Sequence, residues 1–133
     1  MTLFVDGGCS GNSQLNLALR RMVMVVTNDQ GEVISERWRD GGSNNIAELE
    51  AVRDALAWCQ AEGHHIVEIR TDSRNNLAWI LGTRVGKSIN DRASVLALRQ
   101  EIEALRRVIH LTLTWVPRHV NLAGHYIEER AGL

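Results

Sequence analysis

The hydrophobic period of this chain changes partway along it, and that change limits the folds open to it. Three extended runs come first: Thr2 to Asp6, then Arg20 to Asn28, rich in Val and Met, then Val33 to Arg39. The last two are separated by Asp29-Gln30-Gly31-Glu32, a hairpin signal, so an antiparallel meander is expected. Asp6-Gly7-Gly8-Cys9-Ser10-Gly11-Asn12 reads as a tight polar turn closing the first strand. The period then becomes helical, with Leu49, Val52, Leu56 and Cys59 on one face, Ser43 and Asn44 as candidate caps, and a stop near Gly63. A strand over 66–72, a helix from about Ser73 to Leu81 and a loop through Gly82 to Asn90 follow. A long helix from roughly Asp91 to Arg107 places Val95, Leu98, Ile102 and Leu105 on one face. His110 to Val116 alternates as a strand, Pro117 ends it, and a short helix starts near Leu122. The order is βββαβααβα. Strand–helix–strand crossovers suggest parallel pairing for the later strands, so the expected architecture is α/β: a five-stranded mixed sheet, three antiparallel strands then two parallel, flanked by helices.

A length of 133 residues suits one domain spanning 1–133, large enough to bury a core without disulfides. The formal charge of −1 comes from interspersed signs, so no basic tail announces nucleic acid, and a polyanion would have to be held by local groups. Cys9 and Cys59 are too few for a secreted disulfide framework, and no signal peptide or membrane-spanning run is visible. A cytoplasmic monomer with no membrane partner is expected.

Three acids stand out. Asp6 and Asp72 close strand patterns, where the turns of an α/β sheet leave a crevice for ligands. Taken singly, each reads better as a turn-initiating Asp, which is common after strands. Glu48 differs: at about 100° per residue it falls in the arc of Val52, Ala55, Leu56 and Cys59, whereas Glu50 points the other way with Arg53 and Asp54. A carboxylate on an inward face calls for a cation, and either a divalent metal or an Arg partner would supply one. Clustered acids of this kind suit hard cations and phosphoryl chemistry.

Four segments then carry a resemblance. Asp6 to Asn12, Ser43-Asn44-Asn45-Ile46-Ala47-Glu48-Leu49, Thr71-Asp72-Ser73, and Trp115-Val116-Pro117-Arg118 with Asn121 resemble the successive motifs of type 1 ribonuclease H, in the family's order. The resemblance implies the ribonuclease H-like fold and endonucleolytic cleavage of the RNA strand of an RNA/DNA hybrid, with two Mg2+ or Mn2+ ions held by four acids. It implies Asp6, Glu48 and Asp72 as catalytic metal ligands. The fourth acid belongs four residues after Asn121, where this chain has His125. Neutral imidazole can ligate but brings no negative charge, and is softer than carboxylate; Glu128 or water are the alternatives. Arg118, with His119 beside it, matches a loop residue that assists proton transfer or product release, and a plain phosphate contact is the simpler role.

The resemblance further implies that Gly11, Asn12, Asn44 and Asn45 face the RNA strand and that Ser43 touches a DNA phosphate. These roles coexist with local ones, since Gly11-Asn12 is also a turn and Ser43-Asn44 also a helix cap worth ~1 kcal/mol. Arg84, Lys87 and Arg92 flank a loop that either tracks DNA or is merely solvated. Trp58, Trp79 and Trp115 read as core, and Trp38 is left open. Two rivals to the active hybrid-specific nuclease remain: a non-catalytic nucleic-acid-binding domain silenced at the fourth acid, and another nuclease on the same fold. Asn44 and Asn45 beside Glu48 favour the hybrid specialist.

Overall fold

The computed structural model describes residues 1–10, 20–82, 84–86 and 92–131. The expectations for Gly11, Asn12 and Lys87 lie outside the described residues. The elements are β1 (Thr2–Ser10), β2 (Arg21–Asn28), β3 (Val33–Asp40), α1 (Asn44–Glu62), β4 (Ile66–Thr71), α2 (Arg74–Ile80), α3 (Arg92–Arg106), β5 (His110–Trp115) and α4 (Leu122–Ala131), with a 3-10 turn at Arg118–Val120. The sheet order is β3-β2-β1-β4-β5. The first three strands pair antiparallel, and β4 joins β1 and β5 in parallel. This is the expected mixed five-stranded sheet.

Local chemistry accounts for the boundaries. Asn28 closes the β2–β3 hairpin, its Oδ1 accepting the N–H groups of Gln30 at 2.9 Å and Glu32 at 3.0 Å, while Gly31 takes φ 83°. Ser43 caps α1 by accepting the Ile46 N–H at 3.3 Å, and Gly63 ends it at φ 78°. Alternate residues of the strands feed two cores. Leu3, Val5, Met22 and Met24 pack with α1 and α3; Phe4, Val23 and Val25 face the other way, toward Ala123 and Ile127 of α4. The sheet is therefore covered on both faces. Among the described residues, no helix is long and apolar enough to cross a membrane.

Two expectations need correction. β1 does not end at Asp6 but runs on to Ser10, paired with β2 through Gly7↔Met24 and Gly8↔Val23. The glycines that read as a turn serve a contact instead: a Cβ on Gly7 would lie 2.2 Å from the backbone carbonyl carbon of Ala47, so only glycine lets α1 lie this close to β1. The parallel pairing with β4 does stop, at Phe4↔Arg70. Asp6 and Asp72 each lie two residues beyond that pair, at one level of the sheet.

The second correction concerns Glu50, which is buried rather than turned to solvent. Arg37 from β3 donates to it at 2.7 Å, Arg53 at 3.3 Å, and Arg39 also binds it; Arg37 reaches Asp54 at 3.1 Å as well. The flank of α1 that a helical wheel gives to water is covered by the arginines of β3.

Candidate active site

Asp6 from β1, Glu48 from the first turns of α1 and Asp72 just past β4 converge, each offering an oxygen within 4.8 Å of the others. Gly7 brings the Glu48 backbone against β1, since the missing Cβ would stand 2.4 Å from the Glu48 nitrogen. Asp72 is fixed from several sides. Trp115 Nε1 donates to its carbonyl at 3.2 Å, and the Ser73 N–H turns back onto Thr71 Oγ1 at 3.1 Å. Asn121, fully buried, donates through Nδ2 to Asp72 Oδ2 at 2.9 Å and to the Val5 carbonyl at 3.0 Å. Its Oδ1 accepts the N–H groups of Ala123 at 3.2 Å and Gly124 at 3.4 Å. One amide thus ties β1, the end of β4 and the start of α4 to a single point.

The electrostatics follow from crowding acids in a poorly hydrated place. Burial, reinforced by the charge of Asp72, raises the Asp6 carboxyl to about 7, although Arg118 pulls the other way. Burial likewise raises Glu48 to about 7, against a hydrogen bond from Ser73 and with Asp6 and Asp72 adding to the rise. Set against three carboxylates, the cluster has little positive charge.

What it has is Arg118. Its Nη1 donates to Asp6 Oδ2 at 2.6 Å and to Asp72 Oδ2 at 3.1 Å, while its Nε donates to Glu128 at 3.2 Å. The resemblance implies a role for Arg118 in proton transfer or product release, with a phosphate or solvent contact as the plain alternative; the structure seats it on the acids. His125 is half-buried on α4 and stands outside the group of converging ligands. The reason is helix register: Gly124 is the residue of α4 turned to the acids, its absent Cβ 3.2 Å from Asp6 Oδ2, and the next residue is rotated by about 100°. Glu128 reaches the site only through Arg118.

Beside the acids, Gly7, Gly8, Cys9, Asn44, Glu48 and Arg118 line an open cleft of about 280 Å3. Asn44 is exposed there, Asn45 half-buried, and Ser43 occupied as the cap. His119 and Arg84 are exposed, whereas Arg92 donates back to the Val85 carbonyl at 3.4 Å. Trp79 is core, as expected; Trp115 is half-buried, with the Arg74 guanidinium 4.0 Å over its ring. Trp38 lies similarly under Arg21, at 4.7 Å. Sequence alone does not single out Arg74, whose described contact is with the Trp115 ring.

Comparison with known proteins identifies the family and the fold. The sequence matches the family model described as RNase H over residues 1–131. RNase H1 from the halophilic archaeon Halobacterium salinarum superposes with a TM-score of 0.73 at 20% identity, covering 99% of this chain and 98% of that one. The N-terminal RNase H domain of rv2228c from Mycobacterium tuberculosis gives 0.68 at 21%, covering 95% of each chain. LC11-RNase H1, solved in complex with an RNA/DNA hybrid, gives 0.67 at 23%, covering 90% of this chain and 87% of that one. No curated protein sequence matches significantly.

Proposed function

The chain belongs to the RNase H family, and on that premise we propose that it hydrolyses the RNA strand of RNA/DNA hybrids, using divalent cations held by Asp6, Glu48 and Asp72. The observation that carries this reading is the convergence of those three carboxylates to within 4.8 Å at the end of the β1–β4 pairing. The donor set fits hard cations: it is all oxygen, it is anionic, and burial, with the neighbouring acids adding to it, holds two of its members near 7, a rise that a bound cation would oppose. Mg2+ or Mn2+, two ions by the resemblance, would rest on these residues, with water and phosphate oxygens in the remaining positions. When bound, such ions supply Lewis-acid activation of water and neutralise charge developing on the phosphate.

The chain's own residues do the rest. Asn121 and the Trp115 indole hold Asp72 in one orientation, so its carboxylate needs no reordering when the hybrid arrives. Ser73 does the same for Glu48. The N-terminus of α1 opens on the cleft; Ser43 satisfies the Ile46 N–H, leaving the N–H groups of Asn44 and Asn45 for a phosphate. The amide side chains of Asn44 and Asn45 suit the 2′-hydroxyls that mark the RNA strand of a hybrid. LC11-RNase H1, crystallised with such a hybrid, supports that choice of substrate.

A second reading, a non-catalytic hybrid-binding domain, is favoured by one observation: no fourth acid joins the cluster among the described residues, and Arg118 sits on two of the three. A cleavage assay decides. Labelled RNA/DNA, RNA/RNA and DNA/DNA duplexes are incubated with Mg2+, Mn2+ or EDTA; hybrid-only, EDTA-sensitive cutting of the RNA strand supports the enzyme. Hybrid binding without cutting supports the second reading, and equal cutting of duplex RNA refutes hybrid specificity.

A further inference from the structure

We propose that Arg118 is a built-in competitor for the divalent cation, and that Gly124 is the positioning residue that seats it. The proposal rests on the reading that Asp6, Glu48 and Asp72 hold metal. It adds that this chain holds that metal only after displacing its own guanidinium.

The geometry shows the competition directly. A single nitrogen, Arg118 Nη1, contacts both Asp6 Oδ2 and Asp72 Oδ2, at 2.6 and 3.1 Å. Asp72 Oδ2 also accepts from Asn121, so its lone pairs are already committed. A cation drawing on the same two oxygens meets the donor N–H groups head on, and the two positive groups repel in a buried place where Asp6 is only 2% exposed. Arg118 has somewhere else to go. It is 45% exposed along its side chain, and its Nε is already tethered to the exposed Glu128 at 3.2 Å. Rotation about the outer bonds of the side chain would free Asp6 and Asp72 while keeping the Glu128 contact, and would carry the charge toward the cleft where a phosphate lies in the proposed reaction.

Gly124 explains why the seat exists. It lies within α4 at ordinary helical geometry, where alanine is the better residue by about 1 kcal/mol of propensity in general, so the backbone gives no reason for glycine there. The space does: a Cβ at 124 would stand 3.2 Å from both Cζ and Nη1 of Arg118, and 3.2 Å from Asp6 Oδ2. The guanidinium fills the volume that any larger residue would claim. A seated Arg118 lowers the apparent affinity for metal by the fraction of molecules in which it is seated, and removing it returns that factor.

Calorimetric titration of the folded, nucleic-acid-free protein with MnCl2, and separately with MgCl2, tests this without any turnover. The expected result is that Arg118→Ala binds about tenfold more tightly than the parent, the factor withheld by a seat filled in about nine molecules of ten. Gly124→Ala, which keeps every charged group and crowds the guanidinium through two of its three closest contacts, the third being Asp6 Oδ2, is expected to tighten binding in the same direction. In the parent, the Arg118 Nε–H resonance is expected to shift on adding Mg2+. Parental affinity in Arg118→Ala overturns the competition; tightening in Arg118→Ala but not in Gly124→Ala overturns the role of Gly124. If neither the parent nor Arg118→Ala binds either ion, the metal reading itself falls, and this proposal with it.

Discussion

Asn121 positions the site without carrying charge, by joining three segments of the chain through one side chain. Its one amide binds the carboxylate of Asp72, the carbonyl of β1 next to Asp6, and two N–H groups opening α4. Asn121→Ala is therefore expected to lower kcat by about 10–100-fold, the range for losing a partner that orients a ligand, and to destabilise the fold by about 1–3 kcal/mol through the orphaned groups. Steady-state cleavage of a hybrid and urea unfolding measure the two effects; a variant with parental kcat would show that Asp72 needs no orienting. Substituting an acid itself has a different signature. Asp6→Asn and Glu48→Gln are expected to abolish turnover yet leave the metal-free protein at least as stable at pH 8, because each removes a charge that burial penalises. A marked fall in the melting temperature of metal-free Glu48→Gln would mean that an unrecognised cation pairs with it. The three acids were legible in the sequence because Glu48 falls on an inward helix face, where a carboxylate needs a cation, and because the motifs holding Asp6 and Asp72 stand in the family's order. The seat of Arg118 was not, because Gly124, on which it depends, has no side chain to signal a contact.

At the scale of elements, the close approach of α1 to β1 decides where Glu48 stands. Gly7→Ala would force a Cβ to 2.2 Å from backbone that cannot yield like a side-chain tip. The expected cost exceeds the ~1–3 kcal/mol of ordinary overpacking, with activity lost as α1 shifts; chemical denaturation alongside the hybrid assay checks both. Glu50→Gln, 4% exposed and held by three arginines, is expected to cost about 2 kcal/mol, at the low end because Arg37 and Arg39 stay 36% and 48% exposed and can rehydrate. These two positions also show where periodicity stops informing. The spacing of Leu49, Val52, Leu56 and Cys59, with Ser43 and Gly63 at the ends, gives α1 to within a residue or two, because each signal lies within a few turns of the helix it describes. Gly7-Gly8 reads as a turn, and Glu50 as solvated, because the partners that decide otherwise, Ala47 for Gly7 and the β3 arginines for Glu50, belong to other elements, beyond the reach of a local period.

For the whole molecule, the parallel insertion of β4 beside β1 places Asp6 and Asp72 at one level, with Glu48 of α1 against them, and this couples stability to pH and metal. A carboxyl whose folded pKa is raised binds its proton more tightly when folded than when unfolded. Asp6 and Glu48, raised from 3.8 and 4.5 to about 7, therefore contribute stability that is present at low pH and lost as pH rises through about 7. Glu36, Glu50 and Glu68 are shifted downward; Tyr126 holds Glu36, Thr114 holds Glu68, and Arg39 and Arg37 overcome the effect of burial on Glu50. Their contribution is lost only as pH falls below the ordinary carboxylate range, so the interval from about pH 5 to about pH 7.5 isolates the site acids. Metal-free protein is expected to melt at falling temperature across that interval, and Glu48→Gln to fall less steeply. Divalent cations should reverse the trend, since they bind the ionised, folded site. At about a hundred times Kd the gain is about 2.7 kcal/mol, roughly 10 °C for a domain of this size. At pH 5 the same concentration should stabilise far less, because the protons must first be displaced. Calorimetric melts at pH 5 and pH 8, with and without Mn2+, make the comparison. Equal stabilisation by the ion at both pH values would mean that the cation binds somewhere other than Asp6 and Glu48.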